Sequence, residues 1–271
     1  MTPEDHAAAV ADFRGRRDRR LRDPDGWLTL VGLHWLEPGK NRVGSSPHGE
    51  VVLSFPGVPA LAGVLSVVGT AARWNPVDGG AEVELASDVA GEPTVLAAGT
   101  LRMHVICRGE RLGLRVRDHA SPALAAFAGM PVYPVDGSWR VRGHLEAAPP
   151  GATIEVVDVT GLISHDEFPG TFAFERDGRT WRLDALPGGD DGSVWLVFGD
   201  ATNGHETYGG GRFLYTDPVA HDGSVVADFN MAYNPPCVFT PFATCPLPPP
   251  QNRLELRIEA GELNYPPGVG H

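Results

Sequence analysis

The sequence predicts a mainly β protein, with antiparallel sheets packed as a sandwich or closed like a barrel, and one helix at its N-terminus. Three observations carry this. Apolar and polar residues alternate with period two in many short runs from residue 27 onward. Glycine (34) and proline (25) are abundant for 271 residues, which suits short strands joined by tight turns and not a helix bundle. Helical periodicity is nearly confined to the first 22 residues.

The helix comes first. Thr2 is a capping residue, Pro3 suits the first helical position, and Glu4 and Asp5 complement the positive end of the dipole. Val10, Phe13, Arg17 and Leu21 fall on one side. Six arginines between Arg14 and Arg22 crowd its end and read as a solvated face. Strands are then expected at 27–35, 51–55, 81–86, 101–107, 112–118, 139–146, 153–159, 171–176, 180–186, 194–199, 225–230 and 254–260. Asp177-Gly178 between two of these runs is a hairpin signal. Ser121–Ala128 reads as a helical turn. No Pro/Ser/Gly linker interrupts the chain, so its organisation reads as a helical arm over 1–24 and one β-rich domain over 25–271.

Charge excludes several classes. Acidic residues number 34 against 22 basic ones, a net charge of −12, which argues against nucleic-acid or anionic-membrane partners. Lys40 is the sole lysine, so Schiff-base chemistry is disfavoured and arginine is the cation left to bind anions. No apolar run reaches the roughly 18 residues of a membrane span, and no signal peptide is visible, so a cytoplasmic setting is expected. Cys107, Cys237 and Cys245 are too sparse for a disulfide framework and too loosely spaced for zinc; free, buried thiols are expected. The histidines show no metal-ligand spacing, so neither a metal nor a cofactor is expected. His34, between Leu33 and Trp35, reads as a sheet histidine.

Dinucleotide, phosphate-loop, zinc-protease and nucleophile-elbow motifs are absent. Gly209-Gly-Gly-Arg212 lacks a following helix and reads as a strand entered from a glycine turn. Chemistry-bearing residues are densest between Gly199 and Asn252, amid glycine, proline and aromatics. There Arg212 is the expected anion clamp, because a guanidinium grips a carboxylate with two parallel bonds. Glu206 and Asp228 are candidate acid/base residues. Tyr208 and Tyr233 are candidate hydrogen-bond donors, and Asn230 and Asn234 candidate ligand contacts. Phe229, Tyr233, Phe239 and Phe242 would wall such a pocket. The competing reading makes the loop structural, with Arg212 and Glu206 a buried pair.

The segment also carries a resemblance. Glu206-Thr-Tyr-Gly-Gly-Gly-Arg-Phe-Leu214, Asp228-Phe-Asn230, Tyr233-Asn-Pro-Pro-Cys237 and Thr244-Cys-Pro-Leu-Pro-Pro, with Asn252, resemble the domain-of-unknown-function 1684 family of bacteria and archaea. Asp25-Gly-Trp-Leu-Thr-Leu, Arg115-Val-Arg-Asp118 and Trp139-Arg-Val141 extend the likeness along almost the entire chain. The resemblance implies one domain and marks these residues for weighing; it implies no reaction, metal or cofactor. The expected function is binding of an anionic or carbonyl-containing small molecule by a β-rich protein, with metal-free hydrolysis or isomerisation as its chemistry. The alternative is a non-catalytic binding or interaction module.

Overall fold

A computed structural model describes residues 1–265. Strand outweighs helix and the sheets are antiparallel save one short pairing; one sheet curls into a half-barrel. Contacts divide the chain into two compact units. One is Asp23–Ala126; the other joins Met1–Arg22 to the chain from Phe127 onward. The uniform period-two texture, unbroken by a linker, shows no such division and leaves the helix as an arm.

The Asp23–Ala126 unit holds strands β1 (Leu30–Trp35), β2 (Gly39–Gly44), β3 (Val51–Val52), β4 (Gly63–Val68), β5 (Ala71–Pro76), β6 (Val83–Leu85), β7 (Leu96–Ala98), β8 (Leu101–Arg108) and β9 (Arg111–Asp118). They form two sheets, ordered β1-β9-β8-β7 and β3-β2-β4-β5-β6. The inward residues of both sheets share one core: Val43, Leu65 and Val67 from one, Met103, Val105, Leu114 and Val116 from the other. Trp27–Thr29, expected as strand, is a 3₁₀ turn; helix α1 spans Pro3–Leu21, and the expected helical turn is the short helix α2 (Pro122–Ala126).

The second unit holds α1 and strands β10 (Arg140–Ala147), β11 (Thr153–Val157), β12 (Ile163–Glu167), β13 (Gly170–Arg176), β14 (Arg179–Pro187), β15 (Val194–Phe198), β16 (Arg212–Tyr215) and β17 (Ser224–Asp228). Six of them make the sheet β16-β15-β14-β13-β10-β17, and β11-β12 is a separate hairpin. The β13–β14 turn has Asp177 at φ 54° and Gly178 at φ 70°, the paired left-handed residues of a two-residue hairpin. Thr2 and Asp5 cap α1 reciprocally. Its arginines are not all solvated, as expected from charge: Arg14 and Arg17 turn inward and bond to the unit below them.

One strand expectation fails and another is cut short by two residues. Leu254, Leu256, Ile258 and Ala260 are buried and alternate with exposed residues, yet 254–260 joins no ladder; an isolated bridge at Arg253 is its nearest pairing. At 225–230 the strand stops at Asp228, whose side chain caps a 3₁₀ turn over Phe229–Met231. Alternation reports burial on one face, not the presence of a partner strand.

Candidate functional site

The helix α1 lies on the end of β17 and on the segment after residue 258, and its inward stripe meets polar groups there. His6 leads the stripe. Its Nε2 lies 2.6 Å from Asp228 Oδ2. The other carboxylate oxygen, Oδ1, accepts from the Asn230 amide nitrogens, backbone at 3.1 Å and Nδ2 at 2.8 Å. Asn230 is itself fixed: its Oδ1 accepts from Asp136 N at 2.9 Å and its Nδ2 donates to Asp136 O at 2.8 Å. An ionised carboxylate only accepts, so Nε2 of His6 is the donor in this contact. Nδ1 has no hydrogen-bond partner among the described residues. It faces Gly137, where a Cβ would lie 3.8 Å away. Next to Gly137, Ser138 is held by Arg176, whose Nη1 donates to the Ser138 carbonyl at 2.7 Å.

A second knot lies along the same helix. Arg17 donates from Nε to Glu262 Oε1 at 3.0 Å and from Nη2 to the Asn234 carbonyl at 2.8 Å. Its guanidinium also sits 4.9 Å from the Tyr233 ring centre. Asn234 donates its backbone N–H to Glu262 Oε2 at 2.7 Å and its Nδ2 to Leu263 O at 2.7 Å. Burial pushes the Tyr233 hydroxyl well above its ordinary range. Burial lowers Arg14, against the opposing pull of Glu262 and Asp228.

The expected Arg212–Glu206 pair does not form. Arg212 is wholly buried, and its ion partner is Asp200, at 3.3 Å. Its terminal nitrogens also donate to the carbonyls of Ile258 (2.9 Å), Glu262 (3.4 Å) and Ala260. Asp200 in turn accepts from Ile258 N at 2.7 Å and from Thr202 Oγ1 at 2.9 Å. Desolvation lowers Arg212 and Asp200 raises it. Glu206 is exposed and pairs with Arg257 at 2.7 Å, which holds its carboxyl below the ordinary range. The reason is register: Arg212 opens β16 and turns inward toward 258–262, while Glu206 sits on the surface turn before it.

The glycines ahead of Arg212 serve packing. Gly211 has φ +92°, and a Cβ there would meet Pro248 at 2.4 Å. A Cβ on Gly210 would meet the Tyr208 ring at 2.4 Å. Proline and tyrosine fill the space beside these glycines. Tyr208 is half-buried and raised by desolvation. Phe229 is not a pocket wall but core, with its ring 5.4 Å from Phe198 and 5.7 Å from Phe174. Phe239 packs on Tyr265, at 5.2 Å.

Cys237 and Cys245 are joined by a disulfide, contrary to the expectation of free thiols; Cys107 is free and buried. The proline-rich return brings them together: Pro246 bridges to Asp158, and Val159 donates to the Cys245 carbonyl at 2.9 Å. Chain folding, not spacing in the sequence, makes this pair. Among the described residues no three His, Cys, Asp or Glu side chains gather as a metal site, and no helix is long and apolar enough to cross a membrane.

Of the seven expected site residues, Asp228 and Asn230 therefore meet in one centre and Tyr233 and Asn234 in the Arg17 knot. Arg212 is engaged by Asp200, and Glu206 and Tyr208 stand apart. His6, Arg17 and Glu262 were not anticipated. A signal existed for the first: His6 extends the stripe Val10, Phe13, Arg17, Leu21 by one turn.

The model of the family described as Protein of unknown function (DUF1684) matches residues 125–263, half of the chain. The chain belongs to this family. The DUF1684 match contains Asp136, Arg212, Asp228, Asn230, Asn234 and Glu262; His6, Arg14 and Arg17 lie before it. A similar solved structure is the solution NMR structure of an uncharacterized protein of Haloarcula marismortui. It is 28% identical, covers 51% of this chain and 78% of that chain, and has a TM-score of 0.43. No curated protein matches the chain significantly.

Proposed function

We propose that this DUF1684 chain is a small-molecule-binding protein that catalyses a metal-free acid–base step on an anionic or carbonyl-containing metabolite, as a hydrolase or isomerase does. One observation carries the reading: a buried carboxylate, fixed by two amide donors, holds a histidine at 2.6 Å and leaves its other ring nitrogen facing a glycine. His6 Nδ1 is the base. It accepts a proton from water or from the substrate, and the resulting imidazolium is stabilised by Asp228, which orients the ring throughout. Arg176, tied to Ser138 beside Gly137, supplies positive charge for the substrate's anionic or carbonyl oxygen.

The test is hydrolysis of p-nitrophenyl acetate by the wild-type chain and by His6→Gln, Asp228→Asn and Arg257→Gln. Positioned general bases contribute on the order of a hundredfold. His6→Gln should lose most of the turnover, Asp228→Asn somewhat less, and Arg257→Gln none. Full turnover in His6→Gln, or a wild-type rate no faster than free imidazole, overturns the reading.

A second reading, passive binding of an anion, is favoured by a cleft of about 390 Å³ lined by Arg179, Arg182, Arg253, Trp181 and Gln251, within the ordinary size of ligand sites. Arg182 is committed to Glu146 at 3.0 Å; Arg179 pairs with Glu255, also in the lining, at 3.8 Å and sits 4.1 Å from the Trp181 ring. Arg253→Gln separates the two readings: it removes binding here and leaves ester turnover intact.

A further inference from the structure

Burying a cation without a counter-charge is costly, so such a group in a folded chain points to something that compensates it. The Asp23–Ala126 unit contains one. On β9, Leu112, Leu114 and Val116 enter the core, and Arg111, Gly113, Arg115 and Arg117 take the opposite face. Register places Arg115 opposite His104 on β8 and Leu33 on β1, and Arg117 opposite Arg102.

Arg115 is only 5% exposed. Among the described residues its guanidinium has no ion pair and no hydrogen bond, and its Nε is sealed from solvent without an acceptor. The groups facing it are His104, Arg108, Arg117 and Asp88. Asp88 is taken: it pairs with Arg108 at 2.8 Å and accepts from Cys107 N at 3.0 Å. Asp25, on the Arg117 side, pairs with His119 at 2.9 Å. Trp27 lies against both cations, 5.4 Å from Arg115 and 5.7 Å from Arg117. Burial, reinforced by Arg108 and Arg117, lowers Arg115 to about 10. Burial and the same kind of flanking charge, from Arg115 and Arg117, bring His104 down to about 4. The patch is thus an uncompensated positive centre in a chain of net charge −12.

We propose that Arg115 anchors a binding site for a small oxyanion, the phosphate or carboxylate group of a metabolite. The two terminal nitrogens of its planar fork, which are not sealed as Nε is, give the parallel N–H donors that such a group accepts. Arg117 adds charge, neutral His104 can donate one N–H, and Trp27 offers an aromatic wall to whatever carries the anion. This site is separate from the His6–Asp228 centre and does not depend on it.

Thermal melting at fixed ionic strength tests it, with sodium phosphate and sodium acetate titrated in turn against chloride. The wild type should show a saturable rise in Tm with at least one of them, and the anion that saturates at the lower concentration names the head group. Arg115→Met should abolish the rise, Arg117→Gln should weaken it at least threefold in midpoint, and Arg73→Gln, an exposed arginine on β5, should leave it unchanged. If Arg115→Met does not fold, the His104 ring resonances of the wild type report instead: they should move with the anion, and move less in Arg117→Gln. No rise over chloride, an equal rise in Arg115→Met, or unmoved His104 resonances overturns the proposal.

Discussion

Arg212 and Arg115 are both buried arginines on β-strands, one at the start of β16 and one in the middle of β9. Their surroundings are opposite. Arg212 meets Asp200 and three backbone carbonyls, leaving only its Nε without a partner. Arg115 meets an aromatic ring, a histidine and other cations, and no acceptor. The first is a structural rivet: it draws the 258–262 segment onto the sheet and satisfies carbonyls that no ladder strand serves. The second has only the Trp27 ring and the field of Asp88, which is already paired with Arg108, to set against desolvation. Burial alone therefore does not mark an arginine as structural; the inventory of acceptors around it does.

That contrast is open to breakage, and the largest effect should come at Arg212. Arg212→Met strands Asp200 as a buried, unpaired charge and should cost about 3–5 kcal/mol in urea denaturation. Arg115→Met removes an unpaired charge and should leave stability within about 1 kcal/mol of wild type or raise it. A loss at Arg115 as large as that at Arg212 would erase the distinction.

The Arg212 region is closed a second time by the Cys237–Cys245 bond, because Pro248 packs directly on Gly211. Cys245→Ser should cost about 2.5 kcal/mol by loop-closure entropy. Without reductant, the denatured wild type should show one titratable thiol, Cys107. Three would remove the bond from the account.

The Arg115 region should betray its uncompensated charge through pH. His104 is depressed to about 4 in the folded chain, so between that value and its ordinary value the unfolded chain binds the extra proton. Its contribution is complete above about pH 6.5 and is lost as pH falls toward 4, about 3 kcal/mol from the full depression and about 2 kcal/mol after solvent screening. Arg115→Met should raise the His104 pKa measured by NMR and flatten this dependence. The smallest effect belongs to the exposed pair: Arg257→Gln frees Glu206 and should leave the unfolding midpoint unchanged within error.

Much of the architecture was legible. The capped N-terminal helix, the dominance of short antiparallel strands, the Asp177-Gly178 hairpin and the strand entered at Arg212 all follow from patterns a few residues long. Such patterns are local, and local backbone preference and one-sided burial are what they encode. Part of the candidate centre was legible for the same reason: Asp228 and Asn230 are two residues apart, and the Asp228 cap that joins them is a local bond. The lack of a ladder at 254–260 was not, because alternation shows a buried face and cannot show whether another strand lies alongside.

What only the tertiary structure decided is which charges meet. His6 reaches Asp228 across 222 residues, and Arg17 reaches Glu262 across 245. Glu206 was the nearer acid in sequence to Arg212, yet Asp200 takes it, because the turn between them sends one carboxylate inward and the other to solvent. The disulfide, too, depends on a proline-rich return that brings Cys245 back to Cys237. Composition set the supply of arginines and acids. Their pairing is a property of three-dimensional proximity and exclusion of water, which no spacing along the chain expresses.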